Sequence, residues 1–200
     1  MDVSYFANQL PPDSDFRNVI ETMGAAVERF KREAASIKAD RRYSAQGHAE
    51  QIKAAAEKGP IEFFKEMRKQ RAQDRQSLER RKSQIKLQPL DRDDLFGELR
   101  ARELRDYMRG IPLADRIRLA LADPEFAKAI IHAPMVLTGV DGDIRERIIQ
   151  AELERQFGAA ELEDIATESA ALDVVDAALE ITNGQLLVEA GMSNAPPVAA

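Results

Sequence analysis

The side chains most able to do chemistry are few. The 200-residue chain contains no cysteine and only two histidines, His48 and His132. Disulfides, thiol nucleophiles and thiolate metal sites are therefore excluded by inventory. The histidines fall on different expected helices and no His-Glu-x-x-His pairing accompanies them, so each reads as a surface or partly packed residue rather than a zinc ligand. Asp141, Asp143 and Glu152 occupy the first, third and twelfth positions of a calcium-loop pattern. That pattern fails where it matters: Arg145 stands at the fifth position, Glu146 replaces the turn glycine at the sixth, and Ile148 and Leu153 carry a helical stripe through the supposed loop. Helix capping explains these aspartates better. The ten glycines include no phosphate-binding loop, no G-x-S-x-G elbow and no dinucleotide fingerprint. No catalytic residue, metal, cofactor or small-molecule substrate is assigned, and the chain reads as non-enzymatic.

Charge is the stronger signal. The formal net charge of −6 conceals a basic block. Residues 65–86 carry nine Lys and Arg against three Asp and Glu, whereas residues 87–200 carry eleven against twenty-two. The nine are Lys65, Arg68, Lys69, Arg71, Arg75, Arg80, Arg81, Lys82 and Lys86. Phosphates need only such pliant cations and are contacted without regard to base sequence. The block contains no aromatic residue for base stacking, and its charges wrap around the helix instead of forming a stripe. Two readings stand: non-specific nucleic-acid contact, or a solvated arm that meets an acidic protein surface.

These residues must be positioned by helices. Pro11-Pro12 precedes a capping Asp13 or Ser14, and a helix is expected to about Asp40. Along it Phe16, Ile20, Met23, Val27, Phe30, Ala34 and Ile37 recur at alternating steps of four and three, a heptad seam. The seam suits an oligomer or partner interface; the same pattern also suits a helix packed inside its own monomer. A second helix from Tyr43-Ser44 ends at Gly59-Pro60, and Pro60 opens a third that buries Ile61, Phe63, Phe64 and Met67. From 65 to 86 the sequence turns polar all round and is expected to leave the core. Leu87-Gln88-Pro89-Leu90 marks the boundary.

The remainder is expected to form a bundle over 91–184. Asp91 caps a helix over 92–109 that stops at Gly110; Pro112 opens the next; Asp123-Pro124 starts a short helix with Phe126, Ile130 and Ile131. Residues 133–140 are apolar yet interrupted by Pro134, either a buried connection or a surface patch. Asp141 caps a helix ended by Gly158. A last helix over 160–182 carries Leu162, Ile165, Ser169, Leu172, Val175 and Leu179, with Asn183-Gly184 as its stop. Residues 1–12 and 185–200 are expected to be flexible ends, with Leu186-Leu187-Val188 a docking strip and Pro196-Pro197 near the terminus.

The fold class is therefore all-α: an extended, coiled-coil-like N-terminal arm over 13–86 and a C-terminal bundle. At 44% hydrophobic and 32% charged residues, the chain is too apolar for a disordered polymer and too charged for a membrane protein. No apolar run nears the roughly 18 residues of a membrane span, and the acidic Met1-Asp2 start is unlike a signal peptide.

One stretch resembles small helical proteins encoded in bacteriophage and prophage structural gene clusters. Its residues are Glu103-Leu104-Arg105-Asp106-Tyr107-Met108-Arg109, then Leu113-Ala114-Asp115-Arg116 and Asp123-Pro124-Glu125. They are followed by Ala129-Ile130-Ile131-His132-Ala133-Pro134-Met135-Val136-Leu137-Thr138-Gly139. The likeness covers about a third of the chain. It implies a virion structural or assembly protein, located in the virion or the host-cell cytoplasm, whose partners are other copies of itself or other virion proteins. A scaffold-like factor absent from the finished particle, and a cytoplasmic regulator gripping nucleic acid through 65–86, are the alternatives.

Overall fold

The computed structural model describes residues 3–87 and 94–192. Among them the chain is all-α, in ten helices. The expected interruption beyond Leu87, the Asp91 cap and the Pro196-Pro197 end lie outside the described residues. The chain divides into two compact units, one made of Met1–Glu79 with Ala166–Ala200 and the other of Arg80–Ile165.

The first unit is organised by α2 (Asp15–Ala39). Its stripe Ile20, Met23, Val27, Phe30 and Ala34 is buried almost completely, and Phe16 and Ile37 pack partly against the same core. Burying a large apolar side chain stabilises the fold by about 1.5–3 kcal/mol, which makes this stripe the main apolar investment of the unit. The covering surfaces come from α1 (Val3–Ala7), α3 (Ala45–Lys58), α4 (Pro60–Gln84) and α10 (Ala159–Glu189). They contribute Phe6, Leu10, Ile52, Ala56, Phe64, Val175, Leu179 and Leu186.

Several expectations change here. Residues 3–10 are not a free end: α1 packs Phe6 and Ala7 into the core. Gly24 eases this approach, since a Cβ there would sit 3.2 Å from Val3 Cγ1, tighter than an ordinary contact. Ser44 caps α3 by accepting the Gly47 N–H at 3.2 Å. The basic stretch does not leave the core, because α4 continues through it and buries Arg71 and Leu78 along with Phe64. The last helix passes straight through Asn183-Gly184 to Glu189. Thr182, Leu186 and Ala190 extend its buried stripe, so tertiary burial overrides the local stop signal. Leu186, expected in a docking strip, is core; Val188 is exposed. Most of α10 thus belongs with the N-terminal helices rather than with a 91–184 bundle.

The second unit contains α5 (Leu95–Arg109), α6 (Leu113–Ala122), α7 (Pro124–Ile131), α8 (Met135–Thr138) and α9 (Gly142–Phe157) around Met108, Ala120, Ala127, Ile130, Ile131, Val140 and Ile148. Aspartate caps set its helix starts: Asp94 on Gly97 N–H at 2.8 Å, Asp123 on Glu125 N–H at 2.8 Å and Asp141 on Ile144 N–H at 2.9 Å. Arginines hold its helix ends. Arg116 donates to the carbonyls of Ile111, just beyond α5, and of Arg109, its last residue, at 2.9 and 3.3 Å. Arg155 donates to Leu121 of α6 at 2.9 Å, Arg145 to Ile131 of α7, and Arg109 to Leu137 of α8 at 3.3 Å. Each guanidinium thereby meets terminal carbonyls that carry the negative end of a helix dipole.

Because the α2 stripe is internal, Phe30→Ala is expected to cost about 3–5 kcal/mol of stability. Urea denaturation followed by circular dichroism measures it. A variant that keeps its wild-type midpoint but loses oligomeric mass would instead place the stripe in an interface with another chain.

Candidate functional site

The seam residues come together, but within one chain. Ile20, Met23, Val27 and Phe30 are buried in the unit's own core, with Phe16 and Ile37 at its edges. The oligomer-interface reading of this stripe is therefore corrected in favour of internal packing. α1 and α10 supply covering surfaces that the local pattern could not reveal.

The basic residues lie on α4, and acidic residues distant in sequence meet them. In the first unit Arg68 bonds Glu180 at 3.2 Å, and Arg75 bonds Asp173 at 2.5 Å and Asp176 at 2.6 Å, all three carboxylates being on α10. In the second, Arg81 bonds Glu161 at 3.2 Å and Asp164 at 2.7 Å. Lys65 and Lys69 pair back along α4 with Glu62 and Glu66. Lys82 is half-buried, while Arg80 and Lys86 are exposed. The bonds from Asp173 and then Asp176 hold the Arg75 guanidinium above its ordinary pKa range. Three of the nine basic residues, Arg68, Arg75 and Arg81, thus meet α10 of the same chain. The five carboxylates that meet Arg68, Arg75 and Arg81 escaped the sequence reading, although 173, 176 and 180 fall at helical spacing on one face.

Arg71 differs from its neighbours. Its side chain is 5% exposed, bonds Asp74 at 2.7 Å and lies 5.4 Å from the centre of the Phe16 ring. Its Nε has no hydrogen-bond partner. Burial lowers its pKa, with Asp74 and Asp176 opposing; a guanidinium nonetheless stays cationic. The ring face and one carboxylate compensate a desolvated charge only in part.

The remaining candidates for chemistry sit among local contacts. His48 Nε2 contacts the Asp40 carbonyl at 2.8 Å. Arg42 grips the Asp40 carboxylate, and those hydrogen bonds hold its pKa down at about 2. His132 closes α7, and its pKa is lowered by burial first and then by Lys128 and Arg145. Asp141 caps α9, while Glu152 is buried and bonded by Arg155 and Gln156. Among the described residues no three His, Asp or Glu assemble as a metal-ligand set.

What the second unit does present is apolar surface. Met135, Val136 and Leu137 are 52, 88 and 42% exposed on the single turn of α8, and Leu95, Phe96 and Leu99 are exposed on α5. The α8 turn is held at several points. Gly139 adopts a φ of 63° and donates its N–H to Met135 O at 3.1 Å. Thr138 Oγ1 donates to the same carbonyl at 3.0 Å and accepts the Val140 N–H at 3.3 Å, while Arg109 binds Leu137 O. Of the two readings for residues 133–140, both apply in part: Ala133, Thr138 and Val140 are buried while the turn between them is surface. Adjacent exposed apolar side chains suit contact with another macromolecule. Searched against protein families, curated proteins and solved structures, the chain matches none.

Two measurements follow from these electrostatics. Arg75→Gln is expected to destabilise by roughly 1 kcal/mol at low ionic strength, with the loss shrinking in 1 M salt, because its partners are partly exposed and screened. Arg71→Met should match or exceed wild-type stability, since it removes a buried, incompletely bonded charge; equal losses from both in chemical denaturation would contradict this division. For His132 the fold favours neutral imidazole. Its contribution is complete above the ordinary histidine pKa near 6.5 and is lost as pH falls from there toward the lowered folded value. Stability of His132→Gln should accordingly decline less between pH 7 and pH 5 than that of the parent.

Proposed function

We propose that the protein is a non-enzymatic bacteriophage virion structural or assembly protein that acts by helix-mediated association with other copies of itself or with other virion proteins. The observation that carries this reading is the exposed, hydrogen-bonded apolar turn Met135-Val136-Leu137. Three adjacent apolar side chains are turned to solvent, and an arginine, a threonine and a left-handed glycine fix the backbone beneath them. A turn held in advance loses little conformational freedom when a partner covers it. The same turn closes the stretch whose sequence resembles phage-encoded helical proteins. Contact chemistry is thereby separated from the buried α2 stripe and assigned to the second unit.

The scaffold-like alternative uses the same chemistry and differs only in whether the protein remains in the finished particle. Nucleic-acid gripping by 65–86 draws less support. Arg68, Arg75 and Arg81 already face carboxylates of their own chain, and phosphate binding would have to displace them. Among the described residues no helix is long and apolar enough to cross a membrane.

Mass spectrometry of purified particles is the test. The protein is expected in them, and Val136→Asp should reduce its incorporation about tenfold, the equivalent of ~1.4 kcal/mol of contact, while leaving helicity unchanged. Recovery in precursor shells alone would favour the scaffold-like role. Absence from both overturns the proposal.

A further inference from the structure

Asn183-Gly184 is the one Asn-Gly pair in the chain, and it lies inside α10. In a flexible segment such a pair reacts with itself. The glycine backbone nitrogen loses its proton to solvent and attacks the asparagine Cγ. A C–N bond forms, the side-chain amide leaves as ammonia, and a five-membered imide remains. Glycine favours this step because no Cβ crowds the attacking nitrogen and its backbone turns freely. Water then opens the imide. Cleavage of the new Cγ–N bond gives aspartate. Cleavage of the former peptide bond leaves the chain running through the side chain, an isoaspartate with one extra backbone methylene.

The helix opposes the first step. Within α10 the Gly184 N–H is directed at the Glu180 carbonyl, so its proton is engaged, and the helical torsions of Asn183 keep that nitrogen out of line with its own Cγ. Enclosure is not what protects the pair. Both residues are only part-buried, and nothing lies within 4 Å of a Cβ added at Gly184, so the helix itself is the guard. Neither residue favours a helix; what holds this one is the packing on either side. Thr182, Leu186 and Ala190 are buried, the last two in the core that covers the α2 stripe, and Lys38 of α2 binds Glu189 at 2.7 Å. We propose that Asn183 is a site of spontaneous deamidation held shut by the folded end of α10, so that its conversion records, irreversibly, each chain whose helix end has opened. The packing sets the consequence. An isoaspartate at 183 shifts the chain after it, and Leu186 and Ala190 lose the helical register that brings them to the core. The inference stands apart from the association reading and concerns the first unit alone.

The full-length chain is held at neutral pH, native or in denaturing guanidinium. The asparagine, aspartate and isoaspartate forms of the peptide containing residue 183 are followed in time by chromatography and mass spectrometry. Conversion is expected to be roughly tenfold or more faster in guanidinium, the equivalent of at least ~1.4 kcal/mol of protection. Leu186→Ala loosens the buried helix end and should raise the native rate by a similar factor without altering the denatured one. Circular dichroism establishes that this variant folds, and Leu186→Val, a smaller truncation, replaces it otherwise. Gly184→Ala has open space for its methyl and should slow conversion in both states. Equal native and denatured rates for the parent overturn the guard. A denatured parent that converts no faster than denatured Gly184→Ala overturns the site, and a folded Leu186 variant with the parent's native rate overturns the part given to the buried helix end. Isoaspartate chains, refolded, should show a lower denaturation midpoint than Asn183→Asp, which carries the same charge without the extra methylene; equal midpoints refute the consequence.

Discussion

The α2 stripe has to be covered, and most of the first unit follows from how that is done. Seven apolar positions on one face cannot remain in water at about 25 cal/mol per Å². The covering surface comes from the chain's two ends as well as from α3 and α4. Bringing α10 to this core places its carboxylates beside α4, where the basic side chains otherwise would repel one another and project into solvent. The neutralised block, the ordered N-terminus and the helix that runs through Asn183-Gly184 are all consequences of that one burial. Taken singly the ion pairs are weak. Their value is directional, since an α10 register shifted by two residues would turn Asp173, Asp176 and Glu180 away from Arg68 and Arg75.

The second unit solves a different problem. Its five helices are short, the longest being the 16 residues of α9, and short helices have many terminal groups relative to their length. Four unpaired N–H groups at each start and four unpaired carbonyls at each end would otherwise face the core or each other. Asp94, Asp123 and Asp141 satisfy starts, and Arg109, Arg116, Arg145 and Arg155 satisfy ends. The long reach of arginine lets a residue on one helix close another, so the polar network also fixes how those helices sit around Met108, Ile130 and Ile148. Arg116 links three of these features at once: it binds the carbonyls at and just beyond the end of α5, begins in α6 and lies beside Gly139.

Local signals were legible where the physics is local. The α2 stripe, the Ser44, Asp123 and Asp141 caps, and the stops at Gly59 and Gly158 follow from side-chain spacing and backbone conformation within a few residues. What local spacing left open was which distant segment of the chain, or which other molecule, meets each face. A 3–4 stripe identifies a buried face without saying whether its cover is another molecule or another helix. The block at 65–86 looked like a free polar arm because the carboxylates that meet Arg68 and Arg75 lie about a hundred positions further on. Arg71 was read as one of nine cations open to a phosphate or an acidic surface, whereas the Phe16 ring and the core bury it.

Those same failures redirect the search for function. A helix whose apolar face is already satisfied has nothing left to offer a partner, and a cation already beside a carboxylate gains little from a phosphate that must first displace it. The surface available for recognition is what internal packing leaves unspent. In the second unit that surface includes the α8 turn, and its exposure is not a by-product of disorder. Ala133, Thr138 and Val140 anchor the turn from within, and Gly139 takes a backbone conformation that would strain any residue with a Cβ. Turning Val136 inward would require breaking the Thr138 and Arg109 bonds as well as that cap. The geometry thus opposes collapse of the apolar side chains onto their own core, and leaves contact with another surface as their route out of water.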